Sequence, residues 1–140
     1  MHKAVVVLIL SLFSFSASAA PKVNEAEEMG HLAGTVLACR AHRSLYQFEE
    51  ILSRYFSNTA FSPDAEKAKI REYARAKADT FSIYKNRKND CSAIVNDFTR
   101  MPIFKTELYS DGSLRMPDGK FLYPRGQKKL APDAKKIYPE

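Results

Sequence analysis

The 140-residue sequence has no tryptophan, only two cysteines, three histidines and five glycines. Each scarcity excludes something. Two cysteines with no Cys-x-x-Cys spacing leave no dithiol redox motif. His31 and His42 stand eleven residues apart with no nearby third ligand, so no zinc pattern is present and no metal is expected. Five scattered glycines build no phosphate-binding loop, and neither a Walker sequence nor a Gly-x-Ser-x-Gly elbow occurs. Glu27-Glu28 and Glu49-Glu50 are adjacent pairs, which diverge on a helix and make a poor acid/base couple. The expectation is a protein without cofactor, without catalytic residues and not an enzyme.

Long apolar runs are also scarce, with one exception. Met1-His2-Lys3 is a short basic start, and Ala4 to Phe15 follow as an almost unbroken apolar stretch. Ala17-Ser18-Ala19 then precede Ala20-Pro21. This is the layout of a cleavable export signal, residues 1–19, with cleavage expected after Ala19. An uncleaved anchor is the alternative, but the run falls short of the ~20 residues that span a bilayer. Val36-Leu37-Ala38-Cys39 resembles a lipoprotein box only superficially, because it lies far beyond the apolar run and behind Glu25, Glu27 and Glu28. The mature chain carries no other stretch of membrane-spanning length, so a periplasmic or secreted location is expected, with no nucleic-acid partner.

In that compartment an even cysteine count reads as a disulfide. Cys39 and Cys91 allow one intramolecular pairing, closing a loop worth roughly 4 kcal/mol in the chain-entropy model. Pairing between chains and a reactive thiol near His42 are the alternatives. The formal charge of +6 falls to +5 without Lys3, and the excess lies in Asp64–Asp90 and in the C-terminal tail. Such a basic exported protein could meet phosphorylated lipids, wall carboxylates or an acidic protein face.

Residues 20–100 read as one helical bundle. Asn24 caps a helix with acids in its first turn. Met29, Leu32, Ala33, Val36 and Leu37 form one apolar face, with Gly34 allowing close packing. Leu45, Phe48, Leu52, Tyr55 and Phe56 form a second face, rotated by about 100°. Ser44 to Gln47 offers a new capping box, so a break is expected at Ala41–Ser44. Ser62-Pro63-Asp64 starts a charged helix whose apolar face is Ile70, Tyr73, Ala74, Phe81 and Tyr84. Cys91, Ile94, Val95 and Phe98 form a short last helix. The fold class expected is mainly α: a disulfide-clamped bundle of three to four helices with a short, turn-rich β-hairpin tail.

That tail, residues 101–140, repeats a seven-residue unit with Gly112, Gly119 and Gly126 at equivalent places. Pro117-Asp118-Gly119 presets a tight turn. Residues 103–123 read as a meander of two hairpins followed by a basic extension. Strands so short must lie on the helices or on a partner. The first reading is a flap packed on the bundle. The second is a partner-docking segment with Phe121, Leu122 and Tyr123 as anchors and Arg125, Lys128 and Lys129 as rim charges.

Leu32-Ala33-Gly34-Thr35, Leu37 and Cys39, with a second cysteine some fifty residues later and a phenylalanine after it, resemble small two-cysteine helical exported proteins of Gram-negative bacteria. These include the pilotins of type II secretion and a related uncharacterised group. The resemblance spans roughly Met29 to Phe98 and implies a disulfide-clamped periplasmic bundle. For pilotins it further implies binding a secretin segment and guiding it to the outer membrane. This chain departs from pilotins in having no lipidated cysteine in its signal and in carrying the repeated tail.

The function expected is that of an accessory or chaperone-like binding protein for an envelope complex, with an envelope protein as partner. The alternative is a secreted effector or envelope factor that binds anionic lipid or polymer through its basic surface.

Overall fold

The computed structural model describes residues 24–138; the expected export signal and its cleavage site after Ala19 lie outside the described residues. Four helices come first: α1 (Glu25–Ala38), α2 (His42–Thr59), α3 (Pro63–Tyr84) and α4 (Cys91–Thr99). A 3-10 turn at Pro102–Lys105 leads into strands β1 (Glu107–Tyr109), β2 (Leu114–Arg115), β3 (Phe121–Leu122) and β4 (Lys136–Tyr138). None of the described helices is long and apolar enough to cross a membrane.

The helix starts follow local chemistry. The Asn24 side chain accepts from the Glu27 N–H, Ser62 from Ala65, and Asp90 from Ala93, while Pro63 opens α3. The junction between α1 and α2 differs from the sequence reading. The break falls at Cys39–Ala41, and Ser44 lies inside α2 instead of capping it. Arg40 takes a left-handed conformation at φ 59°. Its N–H donates to the Leu37 carbonyl, and the Ala41 N–H reaches back to Val36. These two bonds make a Schellman closure, a place that glycine usually fills. The closure delivers the chain straight into α2 at His42, so α2 begins with Ala41 as its cap residue and no side-chain cap.

α1 and α3 run parallel in close contact. Gly30 sits on the backbone and Ala76 of α3, and Gly34 sits on Lys77 and Thr80. Two glycines four residues apart on one helix face leave a flat slot that only small side chains fill. Ala76 and Thr80 fill it, and Tyr73 completes the buried face of α3. This corrects the apolar face expected for α3. Tyr73 is core, but Ile70 and Ala74 are exposed and Phe81 and Tyr84 are half-buried.

α2 packs antiparallel to both and serves two cores. Leu45, Phe48, Leu52 and Phe56 face α1, α3 and α4, while Ile51 faces the sheet. Phe98 of α4 stands edge-on to Phe48 and to Phe104, each at 5.1 Å between centroids. The Cys39–Cys91 disulfide joins the end of α1 to the first residue of α4, with Cα atoms 5.3 Å apart.

The tail packs on α2. Its strands form one antiparallel sheet in the order β3-β2-β1-β4. Leu108 pairs with Leu114, Leu114 with Leu122, and Leu108 with Tyr138. Leu108 and Leu114 are fully buried against Ile51. Two hairpins are present as the sequence implies, and Gly112, Gly119 and Gly126 all adopt positive φ. Two features differ. The 3-10 turn Pro102–Lys105 takes the place of the start of the expected meander and drops Ile103 and Phe104 against the bundle. The supposed basic extension returns as β4 along β1, with a register shift at Leu108/Tyr109.

Candidate functional site

The displacement of α3's apolar stripe creates the most distinctive surface of the bundle. Leu37, Ile70, Tyr73, Ala74, Ala78 and Phe81 line a depression of ≈ 390 Å³, with Glu49 and Lys77 at its side. A second depression of ≈ 450 Å³ shares Leu37 and Phe81 and continues to Arg40, His42 and Lys85. Together they make an open trough along α3 from Ile70 to Lys85, about 22 Å at helical rise. Its middle is apolar and its far end is basic.

The trough borders one unpaired polar group. The Tyr73 side chain is 8% exposed, and its hydroxyl is buried with no hydrogen-bond partner. Its ring leans on Phe56, and the Lys77 ammonium lies 6.0 Å from the ring centroid. Lys77 in turn holds the Glu49 carboxylate through both oxygens, at 2.9 and 3.0 Å. Burial, then the neighbouring Glu49 carboxylate, through its charge and as an acceptor beside the hydroxyl, push the Tyr73 hydroxyl far above the ordinary tyrosine range. It therefore stays protonated, a neutral donor beside a Glu49 carboxylate that Lys77 already binds and that meets it in no well-formed hydrogen bond. Such an orphaned group is costly, so it marks a place where a ligand atom would be welcome.

Sequence reasoning put Ile70, Ala74 and Phe81 in the core. The pair Gly30 and Gly34 was the signal that could have corrected this, because it demands small residues opposite. Ala76 and Thr80 satisfy that demand, which turns Ile70 and Ala74 outward.

A second cluster lies on the other side of α1 and α3. The His31 Nδ1 is 2.6 Å from the Thr80 Oγ1, and its Nε2 is 3.6 Å from Glu27. Hydroxyl, imidazole and carboxylate are thus in a row beside a hollow of ≈ 180 Å³ that Arg75 and Asp79 also line. The geometry is that of an interhelical clamp. Thr80 is wedged against Gly34 and 7% exposed, the Glu27 contact is too long for a hydrogen bond, and the helical backbone spends its N–H groups in its own ladder. Among the described residues no three His, Cys, Asp or Glu side chains are placed to hold a metal.

The residues expected to dock a partner are separated by the strand pleat. Leu122 turns inward and packs on the Ile51–Leu108–Leu114 core. Phe121 and Tyr123 stack on each other at 5.7 Å with their planes 5° apart. Arg125 ties the tail to the bundle, donating to the Ala60 carbonyl at 3.3 Å and to Glu66 at 3.2 Å. Lys128 and Lys129 are exposed beyond the Pro124–Gln127 turn. Cys39 and Cys91 are joined, as expected.

No protein-family model matches the chain, and no curated protein or solved structure matches it.

Proposed function

We propose that the protein is a non-enzymatic binding module of the periplasm, an accessory or chaperone-like factor for an envelope complex. Its trough along α3 takes an apolar segment of a partner protein. The exposed apolar stripe of Ile70, Ala74 and Ala78 beside Leu37 and Phe81 carries the reading, with the buried Tyr73 hydroxyl, in no well-formed hydrogen bond, at its border. The open shape supports a polypeptide over a lipid tail. An acyl chain in a trough exposed along Ile70, Ala74 and Ala78 would stay half wet, whereas an amphipathic segment brings its own polar face to cover the contact.

The test places a photo-crosslinking residue at Ala74 in intact cell envelopes, with and without Tyr73→Phe. The expected result is one envelope protein, crosslinked through a single apolar segment. A peptide of that segment should bind the purified chain and tolerate salt. Tyr73→Phe should weaken that binding roughly threefold to tenfold, the worth of one hydrogen bond, while leaving the fold intact. Crosslinks only to a second copy of the chain, or a peptide indifferent to Tyr73→Phe, would sink the proposal.

A further inference from the structure

The sheet has a second face, turned away from α2, and its side chains differ from those of an ordinary solvated surface. Tyr109 and Phe121 lie 5.8 Å apart between ring centroids, and Tyr123 lies 5.7 Å from Phe121. Three aromatic rings thus form a contiguous cluster across β1 and β3, with Phe121 between the two tyrosines. All three are partly exposed.

Cations flank this cluster. The Arg115 guanidinium lies 5.8 Å from the Phe121 centroid. Arg115 and Lys136 each approach Glu107 at 3.7 Å, and both are about half exposed. The register explains their placement. Arg115 is cross-strand to both Glu107 and Phe121, and the shift between β1 and β4 sets Lys136 opposite Tyr109. The segment from Lys105 to Lys136 carries eight basic and four acidic residues, with Arg125 turned to Glu66 of the bundle. Two of those acids are engaged: Glu107 with Arg115 and Lys136, and Asp111 in holding the tail together.

We infer that this outer sheet face binds an acidic polysaccharide. The partly exposed rings of Tyr109 and Tyr123, at the two ends of the cluster, pack on C–H groups of the sugars, and Arg115 and Lys136 pair with their carboxylates. A cluster of partly exposed rings offers apolar faces to sugar C–H groups, and the charge around it has the sign that an acidic chain requires. A lipid surface fits less well. Its binding uses apolar side chains that project into the acyl layer, and the rings here pack on one another and on Arg115. The inference is independent of the trough, since Phe121 and Tyr123 lie on the sheet and Tyr73 lies between α2 and α3.

The test titrates the full chain with polygalacturonate oligosaccharides by calorimetry and by amide chemical shifts. Three controls run beside it: a neutral galactan oligosaccharide, polyglutamate, and phosphatidylglycerol–phosphatidylcholine vesicles. The acidic oligosaccharide should bind, with shifts confined to β1, β2, β3 and β4. Neutral galactan and polyglutamate should each bind at least about fivefold more weakly, because one lacks the charge and the other the rings. Tyr123→Ser and Arg115→Gln should each weaken the acidic oligosaccharide by a similar factor without lowering the melting temperature by more than a few degrees. Tyr73→Phe should leave it unchanged. Equal binding of polyglutamate, binding of vesicles alone, no binding at all, or indifference to both Tyr123→Ser and Arg115→Gln would each overturn the assignment. If Tyr123→Ser unfolds the sheet, Arg115→Gln and Lys136→Gln decide the question.

Discussion

Gly34 of α1 lies so close to Thr80 of α3 that a methyl group at Gly34 would stand 2.7 Å from the Thr80 Cβ and 2.5 Å from the Lys77 carbonyl oxygen. Neither neighbour can give way cheaply, because one is backbone and the other is branched. Gly34→Ala should therefore destabilise the protein by about 3 kcal/mol, the upper part of the overpacking range, although alanine is the better helix former. Chemical denaturation of Gly34→Ala beside the exposed control Ala78→Gly checks this. A loss below about 1 kcal/mol at Gly34 would show that the helices can move apart.

Arg40 predicts the opposite sign. It occupies the left-handed position of the Schellman closure, where a side chain costs free energy and glycine costs none. Arg40→Gly should stabilise the oxidised protein by about 1 kcal/mol, visible as a rise in the thermal midpoint. An unchanged or lowered midpoint would mean that the Arg40 side chain contributes contacts that offset its backbone strain.

Asp111 makes the tail sensitive to acid. Burial alone would raise its pKa, but the N–H groups of Ala131 and Ser113, with the Gln127 amide and the Ser113 side chain, favour the ionised carboxylate and hold it at about 2 against an ordinary 3.8. The folded pKa is depressed, so this stabilisation is complete above about pH 4 and is lost as pH falls toward about 2. Amide exchange at Ser113 and Ala131 should accelerate across that window. Asp111→Asn should remove the pH dependence at those two amides, and a persisting dependence would assign it to another carboxylate.

Thr106 and Tyr73 both bury a hydroxyl without a partner, and they should separate on mutation. Thr106 is fully buried between the 3-10 turn and β1. Replacing it with the isosteric valine removes an unsatisfied polar group and should stabilise by about 1 kcal/mol with binding unaffected. Tyr73→Phe should likewise hold or raise stability, but at the expense of partner binding. Two variants with the same stability gain and different binding outcomes would distinguish a tolerated misfit from a retained one.

The elements legible in the sequence were those fixed by short-range chemistry. Asn24, Ser62 and Asp90 stand at their helix starts, the heptapeptide glycines mark their turns, and the two cysteines pair across the bundle. The misread elements depended on partners distant in the chain. Ser44 offered a capping box, yet the handover at Arg40 and Ala41 pre-empted it. Periodicity showed an apolar stripe on α3 but not which part would be buried, because that is set by Gly30 and Gly34 some forty residues earlier. β4 was hidden for the same reason. Lys136-Ile137-Tyr138 has little character of its own and becomes a strand by pairing with β1. Of the candidate site, the pair of Phe121 and Tyr123 was visible in the sequence. Tyr109 and Arg115 join it only through the sheet register.

The strand order carries a schedule. β1 lies between β2 and β4, so one of its edges is matched within a few residues of its synthesis and the other waits for Lys136–Tyr138. A chain released in stages can complete its bundle before the sheet has its final member. Until then β1 offers an open edge to any extended segment nearby. β4 therefore acts as a latch: its arrival ends the interval in which β1 is open to pairing with a neighbour.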